Sequence, residues 1–223
     1  MQITWLGHSA FEIKIAGKTV LVDPWVTGNP LSPANLSDIT NVDLVYVTHD
    51  HSDHLGDAFD ICKSTDALFV SHVELSRQAR NNGVEHAIGV CVGDCREING
   101  LQLQVTEAIH TASVGVPTGI IISSEAKRVY HAGDTELFAD MYLLRQPQID
   151  LALLPIGGLY LNGMGAVEAV EAIKLIKPKA AIPMHYKTFP ILAQSADQFI
   201  KLAKEKAPET KVIELKPGEP HKL

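Results

Sequence analysis

The chain has 223 residues, of which 46% are hydrophobic and 20% charged, which predicts one soluble globular domain over residues 1–223 and excludes a disordered chain. The net charge of -7 argues against nucleic acid as the main partner, because nucleic-acid-binding domains normally present a basic surface. The start of the sequence lacks signal-peptide features, and no apolar run is long enough to span a bilayer. The three cysteines form no C-x-x-C pair. We therefore expect a cytoplasmic protein without a membrane partner.

The first part of the sequence is typical of short strands separated by turns. Apolar-rich runs predict five strands, which are Gln2–Leu6, Ala10–Ile15, Thr19–Val22, Asp43–Thr48 and Leu68–Ser71. Helical spacing of apolar residues predicts two helices, Asp57–Ser64 and Val73–Asn82, the second of which ends at an Asn-Gly pair. The segment Leu31–Thr40 is interpreted as a loop or a short helix.

The second part repeats this organisation. The predicted strands are Leu101–Ile109, Gly119–Ser123, Arg128–Ala132, Leu151–Ile156, Ala180–Met184 and Lys211–Leu215. The predicted helices are Ala166–Ile176 and Ala196–Glu205, and the tail Lys216–Leu223, with two prolines, is expected to be loose. Strands mixed with helices in both parts favour an α/β architecture in which sheets pack face to face with helices outside.

The segment from His49 to His54 carries three imidazoles and two carboxylates within six residues, directly after an apolar strand. His49 and His51 are two residues apart, so an extended backbone would project them to the same side. His54 follows His51 by three residues, which suits a turn or the first turn of a helix. Nitrogen and carboxylate donors together favour zinc, manganese or iron over calcium or magnesium.

Four apolar strands end in a residue that can bind a metal. If their ends meet at one edge, the candidate ligands are His49, His51, Asp53, His54, His110, Asp134 and His185. Seven such ligands are too many for one catalytic zinc, which normally takes three protein ligands and water. They fit two metals that share a bridging carboxylate, for which Asp134 is the candidate.

An H-x-H-x-D-H motif after an apolar strand, followed by a lone His, a Gly-Asp and another lone His, resembles the metallo-β-lactamase superfamily over nearly the whole chain. The resemblance implies a four-layer αβ/βα sandwich with the site at one edge of the two sheets. It also implies one metal on His49, His51 and His110, and a second metal on Asp53, His54 and His185, with Asp134 as the bridge.

Further motifs resemble a subgroup of small metal-dependent hydrolases of unassigned substrate, and more distantly ascorbate-6-phosphate lactonases and N-acylethanolamine-lipid hydrolases. These motifs are Trp5–Ser9, Leu21–Pro24, Thr27–Pro30, Tyr130–Thr135 and Ile182–Tyr186. The chain departs from the subgroup at 162–167, where a Met-Gly-Pro-Glu turn is expected, and in a longer loop between Gly157 and Ala166. This departure concerns the shape of the pocket rather than the metal ligands.

Other residues near the motifs have two interpretations each. His8 is either a site residue, which polarises substrate or braces the metal ligands, or a plain turn histidine. Asp23 either holds a ligand histidine or caps a strand. His131 is interpreted as a buried, hydrogen-bonded residue, and Asp50 and Ser52 as pointing away from the ligands. Loop residues that could bind substrate are Tyr160, Asn162, Tyr186, Lys187 and Thr188.

The ligand pattern predicts a hydrolase in which hydroxide held between two metals attacks a carbonyl carbon or phosphorus. Asp53 would orient that hydroxide or accept its proton, and His8 would help stabilise the developing negative charge. The substrate would be a small ester, lactone or phosphodiester. Zinc is the first candidate for the two divalent ions, with manganese, iron or nickel as alternatives.

Two other functions stay open. A diiron redox protein on this fold needs a flavin partner domain and usually carries more carboxylate ligands than this chain has. A non-catalytic metal-binding protein would have the same ligands without turnover. The sequence also leaves open whether the chain forms a homo-oligomer.

Overall fold

The computed structural model describes residues 1–124, 126–158 and 163–223, and within these the strands form two seven-stranded sheets. The first sheet, in spatial order, contains β14 (Pro220–Lys222), β1 (Gln2–Trp5), β2 (Phe11–Ile15), β3 (Lys18–Val22), β4 (Leu44–Tyr46), β5 (Leu68–His72) and β6 (Ala87–Val90). The second sheet, in spatial order, contains β13 (Lys211–Val212), β12 (Ala180–Met184), β11 (Leu151–Pro155), β10 (Arg128–His131), β9 (Thr118–Ser123), β8 (Leu101–Glu107) and β7 (Cys95–Ile98).

Helices connect the parallel strands and cover the outer faces of the sheets. They are α1 (Ser52–Leu55), α2 (Ala58–Thr65), α3 (Val73–Asn81), α4 (Ala166–Ile176) and α5 (Asp197–Lys206), and 3-10 helices span Leu36–Asp38 and Ala139–Arg145. The pairs β4–β5, β5–β6 and β11–β12 are parallel, so each needs a crossover connection, which α2, α3 and α4 supply. In the described residues, no helix is both long enough and apolar enough to cross a bilayer.

The side chains of each sheet alternate between an inner and an outer apolar core. In β3, Val20 and Val22 join the cluster between the two sheets, whereas Leu21 joins the cluster under α2 and α3. On the other side, Ala172 of α4 and Phe199 of α5 pack against the second sheet. The layers therefore run helix, sheet, sheet, helix, which confirms the predicted four-layer αβ/βα sandwich.

The expectation of a loose C-terminal tail was wrong. Pro220–Lys222 pairs antiparallel with β1, with Gln2 opposite Lys222 and Thr4 opposite Pro220. The proline stands at the first position of this strand, at the edge of the sheet, where its missing N–H interrupts no ladder. The sequence analysis did not predict β6 or β7. β6 forms the edge of the first sheet that lies farthest from β14, and β7 forms the edge of the second sheet that lies farthest from β13.

Candidate metal centre

Two backbone hydrogen bonds join the sheets at the edge where the predicted ligands lie. The amide of Thr118, at the start of β9, donates to the carbonyl oxygen of Thr48 at 3.0 Å. The amide of His185, after β12, donates to the carbonyl oxygen of His8 at 3.0 Å. Because each bond connects one sheet to the other, residues far apart in the sequence are held side by side.

Three histidines form a first cluster at this edge. The ring nitrogens of His49, His51 and His110 lie within 4.8 Å of one another, and His110 Nε2 is 3.3 Å from His51 Nδ1. His51 has an extended backbone and caps the start of α1, so it continues the alternation from His49. The two side chains consequently face the same way, as their spacing predicts.

A second cluster lies beside the first. Ligand-type atoms of His8, Asp53, His54 and His185 all lie within 4.8 Å of one another. Asp53 and His54 occupy the single turn of α1, which turns both side chains toward the end of β12. The helix is short because Gly56 ends it with a φ of +43°, a backbone conformation that favours glycine.

Asp134 lies between the two clusters. Its Oδ2 is 2.9 Å from His185 Nε2, 3.3 Å from His54 Nε2 and 3.6 Å from His110 Nε2. The preceding Gly133 has a φ of +62°, and a Cβ there would lie 2.7 Å from the Thr118 carbonyl oxygen. The Gly-Asp sequence is therefore required by a tight turn that points this carboxylate into the gap between the sheets.

His131 holds that turn in place. Its Nε2 donates to the carbonyl oxygen of Ser9 at 2.9 Å, and its Nδ1 accepts the amide of Gly133 at 3.1 Å. Burial lowers the pKa of His131, so the neutral ring can donate from one nitrogen and accept at the other. The structure thus places His131 in the buried, hydrogen-bonded position that the sequence analysis expected.

Asp23 orients two of the clustered histidines. Its Oδ2 accepts hydrogen bonds from His54 Nδ1 at 2.7 Å and from the Thr48 hydroxyl at 2.8 Å, and its Oδ1 accepts the Thr48 amide at 2.8 Å. Since the Thr48 hydroxyl donates to Asp23, its oxygen accepts from His49 Nδ1 at 3.0 Å. Both imidazoles therefore carry their proton on Nδ1 and present Nε2 to the clusters.

His8 is completely buried and adopts a left-handed backbone with a φ of +56°. Its Nδ1 lies 2.5 Å from the Thr188 hydroxyl, and its Nε2 lies 3.0 Å from Asp53 Oδ2. Its carbonyl oxygen also accepts from the Trp5 indole N–H at 2.8 Å. Because a carboxylate can only accept, His8 donates from Nε2 to Asp53 and accepts the Thr188 proton at Nδ1.

Burial and neighbouring charges set the protonation of the site. Burial lowers the pKa of His8 to about 4 and the pKa of His49 well below its usual value. Burial opposes ionisation of Asp53 and Asp134, yet the surrounding imidazoles outweigh it and hold both pKa values below the usual range. Burial also opposes charge on His54, but the carboxylates beside it raise its pKa well above the ordinary value. Metals bind ionised carboxylates and neutral imidazoles, so a bound cation would displace the second proton of His54 from Nε2.

Several buried polar atoms of the clusters have no hydrogen-bond partner. Nε2 of His49 and Oδ1 of Asp134 have no partner, and Nε2 of His54 and His185 meet Asp134 Oδ2, at 3.3 and 2.9 Å, without good hydrogen-bond geometry. Buried polar atoms in proteins are nearly always paired, because an unpaired one costs about 1–3 kcal/mol. The lone pair of His49 Nε2 and the carboxylate of Asp134 therefore point into the site without a donor, which fits a cation.

Two aromatic rings form a wall beside the second cluster. Trp25 and Phe189 are nearly parallel, with centroids 5.6 Å apart. Each meets the ring of His8 edge-on, at 5.3 Å and 5.5 Å respectively. The Trp25 indole N–H donates to the Thr27 carbonyl oxygen at 2.9 Å, so the wall offers apolar surface rather than a hydrogen bond.

The remaining candidates have other places in the fold. Asp50 points away from the clusters, since its Oδ1 accepts the amide of Ser113 at 2.9 Å. Tyr186 is buried and stacks on Trp5, with ring centroids 5.2 Å apart. Lys187 is exposed. Tyr160 and Asn162 lie outside the described residues.

Sequence reasoning missed the roles of four residues, which are Thr48, Thr188, Trp25 and Phe189. Thr48 accepts a hydrogen bond from His49, and Thr188 donates one to His8. Nothing in the sequence near Thr188 indicates that His8 is its partner. A threonine directly before the H-x-H motif is the one local signal that could have identified Thr48.

Comparison with known proteins gives a consistent family. The sequence profile of the beta-lactamase superfamily domain matches residues 18–186. A UPF0173 metal-dependent hydrolase from Staphylothermus marinus is 47% identical over 225 residues, which cover 97% of this chain and 96% of that protein.

Two solved structures illustrate the range of the fold. Igni18, a metallo hydrolase from Ignicoccus hospitalis, is 39% identical with a TM-score of 0.91, over 100% of this chain and 98% of its own. CmlA, a diiron β-hydroxylase from Streptomyces venezuelae, shares the fold at 15% identity with a TM-score of 0.78, over 100% of this chain and 53% of its own. The extent of the profile match and the identity to full-length relatives establish that the chain belongs to the beta-lactamase superfamily, within the UPF0173 family of metal-dependent hydrolases.

Proposed function

We propose that this chain is a cytoplasmic hydrolase of one domain that uses two divalent metal ions to cleave a small ester, lactone or phosphodiester. The observation that carries the proposal is the pair of ligand clusters with one carboxylate between them. His49, His51 and His110 would hold one ion, and Asp53, His54 and His185 the other. Asp134 would bridge them, since its Oδ2 lies within 3.6 Å of histidines from both clusters.

The convergent atoms fit two such ions on chemical grounds. An imidazole nitrogen of His49 and a carboxylate oxygen of Asp134 are buried without a hydrogen-bond partner, and imidazole with carboxylate is a set of ligands that suits zinc, manganese, iron or nickel. Zinc is the first choice because its catalytic sites commonly combine histidine and carboxylate ligands. When bound, a pair of divalent ions lowers the pKa of water and polarises a substrate oxygen.

Asp53 is the residue we assign to proton transfer. Its side chain is 22% exposed, whereas those of Asp23 and Asp134 are 0% and 8% exposed. An incoming water or substrate can therefore reach Asp53 more readily than the other two carboxylates. His8 Nε2–H holds Oδ2 of Asp53, which leaves Oδ1 to take a proton from the attacking water.

His8 is assigned to positioning, because Asp53 and Thr188 engage both of its ring nitrogens and leave no N–H free for a developing negative charge. Burial keeps its ring neutral, with a pKa of about 4, so it does not compete with the metals as a second cation. The Thr188 hydroxyl holds its tautomer, and its carbonyl oxygen fixes the amide of His185. His8 thus contacts Asp53 and the aromatic wall through its ring and holds His185 through its backbone.

The first experiment combines metal content by plasma mass spectrometry with turnover of a lactone, a chromogenic phosphodiester and a chromogenic ester, each with and without chelator. We expect close to two metals per chain and chelator-sensitive cleavage of one substrate class. Two metals without any turnover would favour a non-catalytic metal-binding protein. Less than one metal per chain after reconstitution would refute the dinuclear assignment.

A further inference from the structure

A cavity of about 380 Å³ opens at the same edge of the second sheet as the clusters. It lies between the loop after β11, the loop after β12 and the start of α4, and its walls include Gly157, Val167, Ile191 and Leu192. Ligands of α/β folds commonly bind outside the carboxyl ends of parallel strands. Its volume falls in the range of small-molecule sites.

One wall of this cavity touches a clustered histidine. A Cβ at Gly157 would collide with the carbonyl oxygen of His185 and lie 3.0 Å from its Nδ1. The Gly157 carbonyl oxygen accepts the amide of Ala193 at 2.8 Å, which ties the loop after β11 to the loop after β12. The cavity is therefore one residue away from the second cluster.

A second wall is anchored next to the bridging carboxylate. The amide of Met164 donates to the carbonyl oxygen of Thr135 at 3.0 Å, and Thr135 directly follows Asp134. Gly158 donates to the carbonyl oxygen of Met164 at 3.3 Å. Both walls are thus fixed by backbone hydrogen bonds to the neighbours of metal-site residues.

Among the described residues, the lining is mostly apolar, with Glu168, Ser195 and Gln198 as its polar side chains, and it carries no positive charge. Val167 and Ile191 are 44% and 56% exposed and lie in the same cavity wall, so an apolar group placed between them would remove aliphatic surface from water. Glu168, which is the one carboxylate among the described lining residues, accepts the amide of Gly165 at 3.2 Å as a helix cap. An anionic group would meet this carboxylate without a counter-ion, whereas an apolar group would cover exposed side chains.

We propose that this cavity binds an uncharged, apolar group of the substrate attached to the reacting centre, so that Val167 and Ile191 determine which substrates are cleaved. The proposal rests on the hydrolase function proposed above. It names a substrate class, a neutral ester or lactone with an alkyl or aryl substituent, and disfavours substrates that are anionic at this position.

The test compares kcat/KM over two series on the metal-loaded enzyme. One series is p-nitrophenyl esters with acyl chains of two to eight carbons, and the other is S-alkyl thioacetates followed with a thiol reagent. In one series, kcat/KM of the native enzyme should rise by roughly fourfold per methylene group until the cavity is full. Ile191→Asp should lower the ratio of long-chain to short-chain kcat/KM by at least tenfold.

The matched control is Leu143→Asp, since Leu143 is 57% exposed and Ile191 is 56% exposed, and Leu143 lies in the 3-10 helix Ala139–Arg145 rather than in the cavity wall. It should keep the native chain-length profile. Equal profiles in the native enzyme and Ile191→Asp, in both series, would overturn the proposal.

A binding measurement separates failure of this proposal from failure of the hydrolase function. If neither series is hydrolysed, the proposed reaction is wrong for these substrates, and Nile red fluorescence is measured with chelated protein. Binding that Ile191→Asp weakens and Leu143→Asp does not would support an apolar site. Equal binding in the three proteins would overturn it.

Discussion

Asp23→Asn is the substitution that tests the site most directly. Asp23 is fully buried and receives hydrogen bonds from His54 Nδ1 and from the amide and hydroxyl of Thr48, all at 2.7–2.8 Å. Asparagine has the same shape, and its carbonyl oxygen can still accept the Thr48 amide. Its NH2 group would then face His54 Nδ1–H, so that two donors meet.

The expected loss of zinc affinity follows from that mismatch. Leaving one buried N–H unpaired costs about 1–3 kcal/mol. If His54 instead moves its proton to Nε2, the atom that faces the metal cluster is no longer a ligand. Replacing the partner of a metal-binding histidine typically lowers metal affinity about 10- to 100-fold, or about 1.4–2.8 kcal/mol, which agrees with the cost of one unpaired donor.

The assay is a zinc competition titration against a chromophoric chelator, with urea unfolding of the metal-free protein alongside. The control is Asp57→Asn, because Asp57 Oδ2 also accepts two short bonds, from the amides of Val26 and Thr27 at 2.8 Å, but neither partner is a candidate ligand. Asp57→Asn should keep native zinc affinity. Native zinc affinity in Asp23→Asn would refute the assigned His54 tautomer.

Three further predictions concern the ligands, the cavity wall and a distant ion pair. Asp134→Ala should lower the metal content from about two per chain while far-ultraviolet circular dichroism stays native, and unchanged stoichiometry would remove Asp134 from the site. Gly157→Ala should destabilise the fold by about 1–3 kcal/mol in urea unfolding, since the methyl group meets backbone; Gly163→Ala, which meets nothing within 4 Å, should be nearly neutral, and equal effects would contradict the collision. Burial raises the pKa of Asp150, but Lys179 at 2.8 Å outweighs it and the pKa is lowered. The stability that this pair provides is therefore present above the pKa of about 4 of an unfolded Asp and lost as the pH falls below it. In chelator, Lys179→Met should unfold with a free energy lower than that of the native protein by up to roughly 1 kcal/mol at pH 7, and this difference should disappear below about pH 4. A difference that does not depend on pH would contradict the pairing.

The fold class could be predicted because its signals are local. The apolar run in β3 and the helical spacing in α4 are each contained within a few residues, and both elements formed where they were expected. The C-terminal tail was misjudged because its partner, β1, lies at the other end of the chain. A three-residue edge strand has too little periodicity to be recognised without that partner.

Much of the candidate site was also present in the sequence. The spacing of His49, His51 and His54 determined by itself that three imidazoles would leave one strand end together, because extended backbone repeats every two residues and a helical turn follows. The lone His110, Asp134 and His185 each follow an apolar strand, which placed them at strand ends.

Only the tertiary structure decided how these side chains are held. The bond from Asp23 to His54 spans 31 residues, and the bond from His8 to Thr188 spans 180. No local pattern specifies such a pair, because each partner is an ordinary polar residue until the registers of two sheets bring it within 3 Å. The sequence determined which atoms could bind metal. The packing of the sheets decided which proton each imidazole carries, which carboxylate stays accessible, and where an apolar cavity opens beside them.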